Sequence, residues 1–223
     1  MIVITGASSG LGAALAQHYA EQGRRLFLTG RSSGRLAKLA ASLPSQVHWL
    51  ALDLTLEEQV ESLFNQFGEV PSMIIHCAGS GLFGPVVDHS EAQLKQLLDN
   101  NVVSAGLMLK HTIARYRTMP LQLAMVVSTA AQVGKANEVF YCGAKWAVRG
   151  MVEAARAEIK ADPMRITGIY PGGMNTQFWQ QSDCRGHVDA AGFMTAQEVA
   201  RMIASGLEHS QVGYVSDLTI NRG

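Results

Sequence analysis

A chain of 223 residues is long enough for one well-buried domain and short for two. With 48% hydrophobic and 16% charged side chains it can form a large core, which excludes a disordered chain. The 18 basic and 18 acidic side chains cancel, so no net field draws it to nucleic acid or to an anionic membrane, and neither is expected as a partner.

Cys77, Cys142 and Cys184 show no CxxC spacing, and the histidines form no HxxxH or HxH pair. Neither a metal site nor a disulfide framework is expected. The first four residues run straight into Thr5-Gly6, with no charged segment and long apolar stretch behind it. No apolar run reaches transmembrane length. Free thiols without an export signal point to the cytoplasm.

Apolar runs rich in Val, Ile and Leu fall at 1–5, 25–29, 47–51, 72–76, 121–127, 165–169 and 213–216. They do not alternate with polar residues, which suits strands covered on both faces. Between them lie segments of helical periodicity, among them 11–22, 33–41, 56–67, 102–117 and 140–160. Strand–helix alternation implies parallel strands joined by right-handed crossovers. The expectation is one domain over 1–223: a doubly wound α/β fold of Rossmann type, about seven parallel strands with helices on both faces. Ligands of such sheets sit just beyond the carboxyl ends of the strands.

The first run is followed by Thr5-Gly6-Ala7-Ser8-Ser9-Gly10-Leu11-Gly12. Gly6 permits a tight turn, Gly10 lets backbone approach a phosphate, and Gly12 lets a helix pack close to the sheet. Ser8 and Ser9 place hydroxyls beside the exposed N–H groups of the helix start, a natural pyrophosphate site. At the end of the second run, where an acid would accept ribose hydroxyls, stand Gly30 and Arg31. A guanidinium there suits a 2′-phosphate, with Arg35 and Lys38 adding charge, so NADP(H) is expected over NAD(H). After the third run, Asp53 and Leu54 can meet an adenine edge and cover its ring, although Asp before a helix also serves as an N-cap.

Taken together, the motifs resemble the short-chain dehydrogenase/reductase family in its single-domain form, over nearly the whole chain. The glycine-rich turn matches TGxxxGxG, and His76-Cys77-Ala78-Gly79 stands at its NNAG segment with both asparagines replaced. Asn101 lies in the segment matching that of the catalytic Asn, Ser128 in Val-Val-Ser, and Tyr141 with Lys145 forms the YxxxK. Pro171-Gly172-Gly173-Met174-Asn175-Thr176 matches PGxxxT. The resemblance implies a catalytic set of Asn101, Ser128, Tyr141 and Lys145. It implies cofactor contacts from Cys77, Ala78, Gly79, Pro171, Gly172, Met174 and Thr176, with Tyr141 and Lys145 serving the cofactor as well. The turn at His76 works largely through backbone, so the nucleotide site is expected to survive the replacements.

Tyr141 and Lys145 are i and i+4, on one face of a helix. A phenol has an unperturbed pKa of about 10, and a nearby cation favours the phenolate. Lys145 is expected to supply that charge and to bind the nicotinamide ribose. Ser128 is expected to hold the carbonyl oxygen, and Asn101 to distort its helix and hold a water that links Lys145 to solvent. The resemblance implies a small carbonyl compound or alcohol as substrate. Its pocket falls to the loops at 80–89 and 175–192; the second carries Phe178 and Trp179 and is expected to form a lid hinged at Gly186 and Gly192. The family also implies a homodimer or homotetramer, through helices near 102–117 and 140–160, the second apolar at Trp146, Ala147, Met151, Ala154 and Ala155. An NADP(H)-binding sensor without turnover is the competing interpretation. A sugar-nucleotide epimerase is disfavoured by the short tail after the last run.

Overall fold

The computed structural model describes residues 1–184, 190–208 and 213–223. Seven strands form its main sheet: β1 (Ile2–Thr5), β2 (Leu26–Gly30), β3 (Val47–Ala51), β4 (Met73–His76), β5 (Gln122–Val126), β6 (Arg165–Pro171) and β7 (Asp217–Ile220). All are parallel, in the order β7-β6-β5-β4-β1-β2-β3. The winding reverses between β1 and β4, where a doubly wound sheet opens its ligand crevice.

Both faces of this sheet are covered, which is why the strands read as unbroken apolar runs. Successive side chains of a strand point to opposite faces. Ile2 and Ile4 of β1 accordingly pack with the helices α1 (Gly10–Glu21), α2 (Ser33–Ser42) and, late in the chain, Ala196–Leu207. Val3, between them, packs on the other face with α3 (Glu57–Asn65) and with the helices Ser104–Tyr116 and Val139–Glu158. Between α3 and Ser104–Tyr116 stands α4 (Glu91–Leu98), so the later helices are α5 (Ser104–Tyr116), α6 (Val139–Glu158), α7 (Phe178–Gln181) and α8 (Ala196–Leu207). One irregularity matters below: a π-helical turn, Asp99–Val103, joins α4 to α5.

The last strand differs from the expectation of 213–216. β7 begins at Asp217 and pairs through Ile220 with Gly168–Pro171. Arg156 fixes its start, donating to Ser216 O at 2.7 Å and to the Asp217 carboxylate at 2.9 Å. An edge strand buries only part of its side chains, so a polar residue can open it and no apolar run marks it. Tyr214, read as strand, instead lies under the Arg165 guanidinium, 5.6 Å from its ring centroid. The other edge, β3, also departs from full coverage: His48 and Trp49 are exposed.

The segment expected to be an irregular lid carries short structure. Met174–Asn175 pairs with Met194–Thr195, Leu82–Phe83 pairs with Asp183–Cys184, and α7 lies between. Pieces of two to four residues are too short to leave a periodicity in sequence. Gly186, the first hinge candidate, lies outside the described residues.

Candidate active site

The first turn needs its glycines for measurable reasons. Gly6 and Gly10 have φ of +64° and +54°, the left-handed region. A Cβ on Gly6 would stand 2.8 Å from the backbone N of Ala78, and one on Gly12 would stand 2.5 Å from the carbonyl of Gly6. The turn is therefore pressed against both its own helix and the segment after β4. Ser9 caps α1 without a side-chain bond to it, so its hydroxyl and the first N–H groups face the cleft together.

Thr5, at the end of β1, organises the neighbouring turn. Its hydroxyl meets His76 Nδ1 at 2.9 Å and accepts the N–H groups of Cys77 and Ala78 at 3.2 and 3.4 Å. The replaced asparagines thus leave a turn that is still pinned through backbone. His76 is buried and held neutral, its pKa pushed down to about 3 by burial and then by the Lys145 charge. Burial likewise pushes the Cys77 thiol up to about 12.

Asn101 sits in the π-helical turn. Its amide donates to Leu97 O and to Ser80 O, each at 2.9 Å, and its Oδ1 is buried without a partner. Gly79 keeps the space beside it open: a Cβ there would stand 2.7 Å from Asn101 Oδ1 and 3.4 Å from Lys145 Nζ. Ser128 follows β5, and its Oγ accepts the N–H of Ala130 at 3.1 Å. The same hydroxyl lies close enough to Tyr141 to favour its phenolate.

Tyr141 and Lys145 are both buried on α6, with Lys145 Nζ 5.7 Å from the Tyr141 ring centroid. Burial lowers the Lys145 pKa to about 8, against the opposing influence of Cys77. The expectation that the lysine pulls the phenol toward neutrality is corrected here. Burial raises the Tyr141 pKa, Ser128 only partly offsets it, and the charge of Glu138 pushes the same way as burial. Desolvation of the phenolate outweighs the Ser128 hydrogen bond, and no lowering by Lys145 offsets it, so in the chain by itself the phenol is held protonated.

These groups line one cavity of about 490 Å³. Its wall includes Gly6, Ser8, Ser9, Gly10, Leu11 and Gly12 at the turn, and Arg31, Arg35, Asp53 and Leu54 beyond it. It continues through Cys77, Ala78 and Gly79 to Ser128, Tyr141 and Lys145, and across to Pro171, Gly172, Met174 and Thr176. Asn101 is set one layer behind, and Lys38 is not part of the wall. A Cβ on Gly30 would approach Ser8 Oγ to 3.2 Å, so any side chain at this strand end would crowd the turn. Asp53 does not cap α3, whose N-cap is Leu56; one of its carboxylate oxygens instead accepts the Thr55 N–H and hydroxyl at 3.0 and 2.9 Å in a local turn.

Sequence reasoning missed part of the wall. Phe83 stands 5.1 Å from Tyr141 and 5.0 Å from Trp179, centroid to centroid, and Phe193 stands 5.5 Å from Trp179. Arg222 lies over Phe193 at 4.8 Å. Thr129, Lys135 and Glu138 complete the wall near Tyr141. Phe83 lies in a segment already assigned to the pocket; no local motif announces the others.

Residues 1–185 match the family described as short chain dehydrogenase. The chain belongs to that family, a class of nicotinamide-dependent oxidoreductases. It is similar to the crystal structure of a short-chain dehydrogenase/reductase from Vibrio parahaemolyticus, with 43% identity, a TM-score of 0.92 and full coverage of both chains. It is 30% identical to the uncharacterized oxidoreductase YxnA of Bacillus subtilis, over 80% of this chain and 53% of that protein, so it spans about half the length of this relative. It is 27% identical to an NADPH-dependent pterin aldehyde reductase of Arabidopsis thaliana, over 79% of this chain and 75% of that protein. Among the described residues no helix is long and apolar enough to cross a membrane.

Proposed function

We propose that the protein interconverts a carbonyl compound and its alcohol with NADP(H), Tyr141 giving or taking the proton. One observation carries this reading: Ser128, Tyr141 and Lys145 meet at one end of a cavity whose other end is the glycine turn with Arg31 and Arg35. The residues present suit the nucleotide: Ser9 and the first N–H groups of α1 border the cavity without a side-chain cap, and Arg31 and Arg35 line the same cavity with charge suited to a 2′-phosphate. The nicotinamide supplies or accepts the hydride. Ser128 holds the substrate oxygen, and Tyr141 transfers the proton to it in reduction or removes it in oxidation. Lys145 binds the ribose and supports the developing phenolate. The open Oδ1 of Asn101 is the acceptor for a water that returns protons to Lys145. Purified protein with NADPH and a panel of aldehydes and ketones should show loss of cofactor absorbance; no turnover with any member would favour a sensor.

Cofactor choice follows from Gly30 and Arg31. The pterin aldehyde reductase bears NADPH in its name, which agrees. Arg31→Asp should lower NADPH affinity by about 10–100-fold, the scale of a lost charged hydrogen bond, and raise NADH affinity by giving its 2′-hydroxyl an acceptor. Fluorescence titration with both cofactors measures this, and equal affinities in the unmutated protein would refute the preference.

The helices α5 and α6 also carry a proposed subunit contact. Trp146, Ala147 and Ala154 are exposed on α6 and Val103 precedes α5 in the open. Met151 and Ala155, expected on the same surface, turn partly toward the core. Sedimentation at micromolar concentration should give a homodimer or homotetramer, and a monomer would count against it.

A further inference from the structure

The charged groups on the cavity wall include one acid beside Tyr141 that has no task in the chemistry above. Glu138 lines the wall, half-buried, three residues before Tyr141. It occupies the N-cap position of the 20-residue helix α6 yet makes no capping bond. Ser, Thr, Asp or Asn there would fold back onto the helix N–H groups; the longer glutamate leaves its carboxylate free. Its nearest cation, Lys135, donates instead to Thr129 Oγ1 at 3.2 Å, and no ion pair joins the two among the described residues. A half-buried carboxylate without a partner is under-solvated, and burial raises its pKa accordingly. Its charge reaches the Tyr141 hydroxyl.

We propose that Glu138 selects substrates bearing an ammonium group within a bond or two of the reacting carbon. The class is the β-amino alcohols and the α-amino carbonyl compounds to which they are oxidised. This deepens the carbonyl–alcohol reading and rests on it. Glu138 lines the same cavity as Tyr141 and Ser128 and its charge reaches the Tyr141 hydroxyl, so a group that meets Glu138 while the substrate oxygen is held by Tyr141 and Ser128 sits close to the carbon bearing that oxygen. The aromatic wall of Phe83, Phe178 and Trp179 covers the apolar remainder of such a molecule. The ammonium also cancels a negative charge that otherwise holds the Tyr141 phenol protonated, so the group that docks the substrate eases proton removal in the oxidation direction.

The test uses three aryl alcohols of one shape: phenylethanolamine, cationic at neutral pH; α-ethylbenzyl alcohol, with methyl in place of ammonium; and β-hydroxy-β-phenylpropionate, with carboxylate there. Each is titrated calorimetrically into the protein–NADPH complex, in which an alcohol cannot react, and into the protein alone. The amine should bind about tenfold or more tighter than the neutral alcohol, and the acid weakest. In Glu138→Gln the amine-to-alcohol affinity ratio should collapse toward one, with Glu138→Ala as a second variant and circular dichroism as the folding control. Equal or tighter binding of the neutral alcohol, a preference for the acid governed by Lys135, no binding of the amine, or a ratio unchanged in the folded variants would each overturn the proposal. Carbonyl turnover with a ratio of one would sink this selection alone. A high ratio with no turnover of any carbonyl would leave the selection standing and sink the catalytic reading.

Discussion

Tyr141→Phe is expected to slow turnover by about 10²–10⁴-fold, the typical contribution of general acid–base catalysis, while NADPH affinity changes little. The substitution removes one oxygen and keeps the ring. That ring packs 5.1 Å from Phe83 and 6.2 Å from Phe178, contacts that do not involve the hydroxyl, so the fold should persist. The lost atom is the one that lies beside Ser128 at the end of the cavity. A raised pKa suits a proton donor at neutral pH: the phenol is protonated when a carbonyl arrives. For oxidation the same residue must lose its proton, and there the positive nicotinamide and Lys145 have to overcome burial. The oxidation rate should therefore rise with pH over a range in which the reduction rate is flat. Single-turnover kinetics in both directions, with circular dichroism as a folding control, measures this. A folded variant that reduces an established substrate at near the original rate would remove Tyr141 from the mechanism.

Much of the site is legible in the sequence because its demands are local. The first turn needs glycine at residues 6 and 10 for left-handed backbone and at residue 12 for close approach to Gly6, and these demands fall within one short stretch, even though Gly6 also meets the segment after β4. The central strands are legible because both faces are buried, which forces unbroken apolar runs. Edges and long-range contacts are not legible in the same way. β7 carries Asp217 at its start because Arg156, far away on α6, receives it. Phe193 and Arg222 come to the cavity from segments with no motif, brought there by pairing of Met194–Thr195 with Met174–Asn175 and of β7 with β6. The pKa of Tyr141 is not legible in the sequence for a different reason. Spacing places a cation near the phenol, but only the packed fold reveals how completely both groups leave water.

Lys145→Ala should differ from Tyr141→Phe by weakening cofactor binding as well as turnover. In the proposed mechanism one ammonium serves both the ribose and the phenol, so its loss should lower NADPH affinity by about 10–100-fold, as for other hydrogen bonds to charged groups. The pH dependence gives a sharper signature. Burial brings the Lys145 pKa from 10.5 to about 8 in the folded chain. Ribose hydroxyls and the cofactor phosphates favour the ammonium, so the complex holds that proton to higher pH than the free protein. NADPH affinity should then be highest below about pH 8 and fall as pH rises through it. Stability runs the other way. Between about pH 8 and 10.5 the unfolded chain holds a proton that the folded chain has released, so stability rises with pH across that window. The burial penalty on the charged form is complete below it, on the order of 3 kcal/mol. Lys145→Ala should remove both slopes: its NADPH titration should be nearly flat across pH 8, and its denaturation midpoint should no longer climb there. Titrations and urea melts at half-unit pH steps resolve the two effects. If the variant keeps the original NADPH affinity and the original pH dependence, Lys145 is a buried structural residue and the cofactor does not reach it.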